Sequence, residues 1–342
     1  MKLDSAIVEL LSLNPANTSV SSHGGGGMSS ASTSKITTKL SDGTTKLYFL
    51  KMGSGKDAEI MFEGSRAPYD SEHVSLNALH HAVPSLCPQS FGYGKFADTP
   101  SKSFLVTDFL ALSGRISSSS PSASTPSLAA KLAKLHTTSA PVPDGYSKPV
   151  FGFPATTCCG DTPQDNSYKE SWADFYAENR LRFILRRSEK SNGKDKELHD
   201  LVESTCTAVV PRLIRDKHLN NGKGITPVVV HGDLWSGNAS RGSIGGSSTI
   251  EDVVFDPSAC YAHSEYELGI MKMFGGFGGS FLKEYHQLCP KTEPVDEYED
   301  RVALYELYHH LNHHALFGGG YRSGAVSIMT RLLQKYGGKG EL

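Results

Sequence analysis

What is scarce narrows the field first. The 342 residues contain two tryptophans, and no apolar run approaches the roughly 20 residues that a membrane-spanning helix needs. Charge of one sign is missing as well: 34 basic residues face 36 acidic ones for a formal net charge of −2, so no global field attracts nucleic acid or an anionic membrane. The expected partner is therefore a small or locally recognised molecule, with no nucleic acid and no membrane. The six cysteines, at 87, 158, 159, 206, 260 and 289, form no C-x-x-C pair and fit neither zinc spacing nor a disulfide framework, which points to a reducing, cytoplasmic compartment. The opening "MKLDSAIVELLSLNPAN" lacks an h-region and an Ala-x-Ala site; it reads as a short amphipathic helix, not a signal peptide.

The residues that are present divide the chain. "SKITTKLSDGTTKLYFLKM" holds two strand-like runs about Asp42-Gly43, a hairpin signature, and before it "SSHGGGGMSSAS" removes every Cβ from a loop that is either a linker or a phosphate cover. "DSEHVSLNALHHAVP" has a helix start at Asp70 or Ser71, with Glu72 heading the apolar stripe of Leu76, Leu79 and Val83, and Pro84 closing it. "SFLVTDFLAL" reads as a buried strand running into a connector, and the Ser-rich stretch after it as a flexible surface insertion over 113–127. From "LAAKLAKLHT" onward helical periodicity dominates, broken by the strand "ITPVVVHG", a Gly/Ser-rich loop "SRGSIGGSST" and the strand "EDVVFD". The expected division is a small β-rich lobe over 1–107 and a larger helical lobe over 108–342.

Chemistry concentrates where apolar strands end. "VVVHGDLWSGN" delivers Asp233 and Asn238 just past a buried strand, and "VVF" delivers Asp256 in the same way, eighteen residues beyond Asn238. Two carboxylates and an amide at such positions suit Mg²⁺, a hard cation held by one or two carboxylates together with substrate phosphates. The spacing H-x-D-x-x-x-x-N is the protein-kinase arrangement with the loop residues changed; in it Asp233 orients and deprotonates the acceptor hydroxyl while Asn238 and Asp256 hold the metal. Taken alone, an aspartate after a strand is more often a turn former. The context is what lifts it: Lys51 ends "LYFLK", on one face with Leu47 and Phe49, and a lysine there needs a partner, for which Glu72 is the candidate. Glycine-rich loop, strand lysine, helix glutamate, H-x-D-x-x-x-x-N and strand aspartate then follow in kinase order.

Four stretches carry a closer resemblance: "HGDLWSGN", "FDPSACYAHSEYELGIMKMFGGF", "LYHHLNHHALFGGGYRSGAVSIM" and "FGFPATTCCGDTPQDNSYKESWADFYAENRL". Together they resemble the fructosamine/ketosamine 3-kinase family, from about Gly24 to Met329. The resemblance implies an α+β, two-lobed protein-kinase-like fold, similar to the aminoglycoside phosphotransferases. It also implies transfer of the ATP γ-phosphate, with Mg²⁺, to the sugar 3-hydroxyl of ribulosamine or fructosamine adducts on protein or free lysine amines, which leads to deglycation. By this resemblance Asp233 is the catalytic base, Asn238 and Asp256 are metal ligands, and Lys51 contacts phosphate with Glu72 steadying it. Gly25, Gly26, Gly27 and Ser29 cover the phosphates, the backbone of Asp108, Phe109 and Leu110 serves as the adenine hinge, and Glu267 matches a structural carboxylate. Trp235 offers a sugar–amine adduct an aromatic face, with His263 and Glu265 as candidates for the substrate rim. A monomer or weak homodimer is the expected state.

Departures from the family pattern are visible. The loop "GGGGMSS" is not G-x-G-x-x-G, Met28 stands where many members carry cysteine, and "SRAPYDS" separates Gly64 from Glu72, which makes Glu63 a rival partner for Lys51. The i, i+4 histidines of "HHLNHH" could bind zinc in geometry, but no nearby carboxylate completes a ligand set, and "GGFGG" at 275–279 reads as a turn or close packing. An aminoglycoside- or choline-type kinase shares the base and metal residues, but Trp235 and "TTCCG" argue against it. A catalytically silent kinase fold that binds nucleotide or a protein is the reading of a different class.

Overall fold

A computed structural model describes residues 3–24, 32–54, 71–114 and 125–338. They fall into two compact units. The first comprises Met1–Lys131, Ala155–Thr157 and Gly237–Ser258, and the second Leu132–Pro154, Cys158–Ser236 and Ala259–Leu342.

The first unit is built on an antiparallel five-stranded sheet of β1 (Thr18–Ser22), β2 (Ser32–Lys39), β3 (Thr45–Ser54), β4 (Ser90–Lys95) and β5 (Lys102–Asp108), in the order β1-β2-β3-β5-β4. The expected hairpin is there: Lys39 pairs with Thr45, and the Asp42 carboxylate accepts from the N–H and hydroxyl of Thr44 across the turn. Helix α1 (Ser5–Leu10) starts at Asp4, whose carboxylate caps Ala6 N and also accepts from Ala97 and Asp98 N. Burial alone would raise that carboxyl, yet the three backbone donors hold it below the usual range. Ile7 of α1 joins Ile36, Tyr48, Leu50, Phe104 and Val106 in one buried cluster. The fully buried face of β3 is thus that of Tyr48 and Leu50; Leu47, Phe49 and Lys51 lie half-buried on the other, so the sheet's apolar side is opposite to the one that carries the lysine.

Helix α2 (Ser71–Ala82) follows, and the first unit also holds a three-stranded sheet of β6 (Leu110–Gly114), β10 (Ala239–Ile244) and β11 (Glu251–Val254) in the order β11-β10-β6. Two expectations change here. The connector after Asp108 is a strand that takes in residues 113 and 114 of the expected insertion at 113–127, of which 115–124 lie outside the described residues. "SRGSI" is likewise a strand and not a loop, because Gly242 serves close approach: a Cβ there would sit 2.7 Å from Ala111 O, at the irregularity where β10 meets β6. The first turn of α3 (Leu128–Thr137) is tied to β11 by Leu128 N donating to Asp252. Lys131, 2 % exposed, satisfies its ammonium with Ser85 O, Glu251 and Asp252 O.

The second unit is mainly helical. Two short strand pairs, β7 (Cys158–Cys159) with β8 (Thr162–Pro163) and β9 (Val228–Val230) with β12 (Cys260–Ala262), carry the loops of interest. Around them stand α4 (Trp172–Phe175), α5 (Phe183–Asn192), α6 (Lys196–Ser204), α7 (Val210–Leu213), α8 (Glu267–Phe274), α9 (Gly279–Leu288), α10 (Tyr298–Phe317) and α11 (Tyr321–Tyr336). Trp172, Tyr176, Tyr266 and Tyr305 pack ring against ring at the centre, and Trp172 Nε1 donates to Tyr305 Oη at 2.8 Å. None of the described helices is long and apolar enough to cross a membrane, and all six cysteines are free thiols.

Candidate active site

In the first unit, β3 and α2 bring Lys51 and Glu72 together: Nζ lies 2.8 Å from Glu72 Oε2, with the two side chains 13 % and 14 % exposed. Glu72 thus pairs with Lys51; Glu63, like Gly25, Gly26, Gly27 and Ser29, lies outside the described residues. The same ammonium is 3.8 Å from Asp256 Oδ1. Burial raises the Glu72 carboxyl, with Lys51 opposing and Asp256 reinforcing that shift. Asp256 follows β11 with a left-handed φ of 54°, an uncommon conformation for a side-chain-bearing residue, and its carboxylate is 60 % exposed.

Register explains why Asn238 is Asp256's neighbour. Ala239 pairs with Val254 at the start of the β10–β11 hairpin, and Phe255 N donates to Asn238 O at 3.1 Å, so the amide and the carboxylate emerge at one end of the same ribbon. Their donors are hard oxygens, the type that Mg²⁺ takes, and they fit such an ion. Among the described residues no three His, Cys, Asp or Glu side chains converge as a metal site, the histidines of 309–314 included.

The expected hinge is less open than the resemblance implies. Asp108 N donates to Gln89 O at 2.9 Å and Phe109 N to Leu47 O at 3.1 Å, while Gly245 N donates to Phe109 O, because β5 runs almost directly into β6. Neither of those N–H groups is offered to a ring in this arrangement. Leu110 opens β6 opposite Ile244, and Lys46 pairs with the Asp108 carboxylate at 2.6 Å.

In the second unit, β9 leads into His231-Gly232-Asp233. Gly232 has φ +80°, the turn that carries the chain from the strand to Asp233. The loop is held by Glu267 at the head of α8, which accepts from His231 N at 2.5 Å and Gly232 N at 2.9 Å, and whose Oε2 lies 3.5 Å from His136 Nε2. Burial alone would raise Glu267; His136 and His231 bring it below the usual carboxylate range. His231, fully buried, accepts the Asp233 N–H on Nδ1 at 3.3 Å, which orients the loop backbone. Trp235 is 37 % exposed and packs on Phe274 with centroids 5.8 Å apart.

His263 and Glu265, expected at the substrate rim, are instead 2 % and 3 % exposed. His263 bonds Tyr305 Oη and Thr292 Oγ1, both at 2.8 Å, and Glu265 takes Arg301 Nε at 2.7 Å and Thr292 N at 2.8 Å. They are framework, not rim: helix α10 supplies the arginine, and such a buried pair is costly to break from one side. Burial holds the His263 ring down to about 4, whereas an unfolded histidine titrates near ~6.5. The unfolded chain therefore binds the extra proton first, and stability is full above about pH 6.5 and falls as the pH drops toward 4. Urea unfolding at pH 7, 6 and 5 is expected to show that loss, and His263→Gln to reduce its slope; an unchanged slope would assign the loss to other groups, such as the equally buried His309.

A lysine on a sheet strand paired with a helix glutamate, an aspartate closing a later hairpin and, in the other unit, an aspartate loop buttressed by a helix-borne carboxylate are the features of a phosphotransferase of the kinase-like type. The fold agrees: the solved structure of a Thermobifida fusca protein designated a fructosamine-3-kinase superposes with a TM-score of 0.69 over 97 % of this chain and 98 % of its own, at 23 % identity. The fructosamine kinase family model matches residues 7–335, and the chain belongs to that family. It is 35 % identical to a rice chloroplastic protein-ribulosamine 3-kinase over 93 % of this chain and 79 % of the relative. With a mouse ketosamine-3-kinase it is 42 % identical over 182 residues, spanning about half the length of each, 53 %.

Proposed function

We propose that this chain is an ATP-dependent kinase that phosphorylates the sugar 3-hydroxyl of ketosamines, the ribulosamine or fructosamine adducts of lysine amines, protein-bound or free. Family membership supports the class of reaction, and the observation that carries the chemistry is Lys51 held between Glu72 and Asp256. In this reading Lys51 contacts the ATP phosphates and Glu72 fixes its position. Asn238 and Asp256 would hold Mg²⁺, which when bound neutralises charge on the phosphates. Asp233 orients the acceptor hydroxyl and takes its proton as the oxygen attacks the γ-phosphorus and ADP leaves. Trp235 supplies the sugar–amine adduct with an exposed aromatic face. Free thiols and near-neutral charge support a cytoplasmic address, and we take the enzyme as a monomer or weak dimer.

The direct test is to incubate the protein with ATP, Mg²⁺ and a ketosamine and to locate the phosphate by two-dimensional ³¹P–¹H NMR. Coupling to the proton on sugar carbon 3 is the expected result; phosphate on another position, or on the amine, contradicts the reading.

A further inference from the structure

The aspartate read as the base has a neighbour that the motif does not announce. Cys159, 1 % exposed on the short strand β7, places Sγ 3.9 Å from Asp233 Oδ1, within donor range for a thiol. Its backbone is pinned on two sides. Cys159 pairs with Thr162 of β8, and its carbonyl accepts from Asn312 Nδ2 of α10 at 3.1 Å. Burial, reinforced by the charge of Asp233, pushes the thiol well above its ordinary range, so it stays protonated and its S–H can donate.

We propose that Cys159 is a positioning residue for Asp233: its S–H donates to Oδ1 and fixes the rotation of the carboxylate toward the acceptor hydroxyl. As a weak donor the thiol restrains the carboxylate while withdrawing little of the basicity that a general base needs. The rigid tie from α10 through Asn312 to the strand makes the sulfur a fixed reference point. This inference rests on the reading of Asp233 as base.

The test is steady-state kinetics on Cys159→Ala, Cys159→Val and Cys159→Ser, with saturating ATP and a ketosamine acceptor. Valine fills the volume without a donor, so it separates loss of the S–H from a cavity that could unfold the alanine variant. Removing one weak thiol–carboxylate hydrogen bond from the reacting geometry predicts a fall in kcat of about two- to tenfold in the alanine and valine variants, with KM for both substrates essentially unchanged. Serine is expected to recover most of the rate. Wild-type kcat in the valine variant, a loss that falls on KM, or a serine variant as slow as valine each overturn the role. Asp233→Asn assayed alongside keeps the two claims apart. Retained turnover there removes the base itself, whereas lost turnover there with an unimpaired valine variant removes only the role of Cys159.

Discussion

Replacing Asp233 by asparagine is expected to lower turnover at least about a hundredfold while leaving the fold and ATP affinity in place. Asparagine keeps the shape of the side chain but cannot take a proton at neutral pH. Groups other than the carboxylate hold the loop: Glu267 accepts from His231 N and Gly232 N, and His231 accepts the backbone N–H of residue 233, an interaction that asparagine retains. The loss should therefore appear in kcat, with the melting temperature and nucleotide KM close to wild type. Stopped-flow or coupled ADP measurements give the rate, and calorimetry the fold. Unchanged kcat in a folded variant would remove Asp233 from the chemistry.

Lys51→Met should be comparably severe, about a hundredfold or more in kcat/KM for ATP, because it removes a fixed positive charge meant for developing phosphate charge. The variant also leaves Glu72, 14 % exposed, and the neighbouring Asp256 without their shared cation. Two carboxylates then repel across a half-buried space, so part of the effect should be a loosened α2 and a lower melting temperature. Glu72→Gln is expected to do less, since it keeps a hydrogen-bond acceptor for Lys51 and leaves Asp256 as its counter-charge. Kinetics in ATP for the two variants side by side check this ordering; a Glu72→Gln variant more impaired than Lys51→Met would mean that the carboxylate, and not the ammonium, faces the nucleotide.

These candidates were legible because each carries a local signal. Lys51 lies on an alternating strand, Glu72 heads an apolar helical stripe, Asp233 and Asp256 follow valine-rich strands, and Asn238 comes five residues after Asp233 in the same motif. The hairpin at Asp42-Gly43 was legible for the same reason. What was not legible depends on partners far along the chain. Glycine and serine at 240–243 read as a loop until Ala111, more than a hundred residues away, supplies the strand that needs Gly242. His263 and Glu265 stand in a polar stretch of the kind that lines a rim, and only Thr292, Arg301 and Tyr305 reveal that they are buried. The N–H groups of Asp108 and Phe109 are committed to Gln89 and Leu47, pairings that no local pattern encodes. Cys159 meets Asp233 across 74 positions, and its own segment, "TTCCG", carries no chemical signature that points there.

The central claim is that a ketosamine is the acceptor, and the most direct measurement is ADP release from the purified protein with Mg²⁺ and ATP, compared across ribulosyl-lysine, fructosyl-lysine, choline and an aminoglycoside. Turnover with one or both ketosamines and none above background with choline or the aminoglycoside is the predicted result, and the ratio of the two ketosamine rates ranks the sugars. Turnover with choline or the aminoglycoside in place of the ketosamines, or silence with all four by a protein that binds ATP, would contradict it.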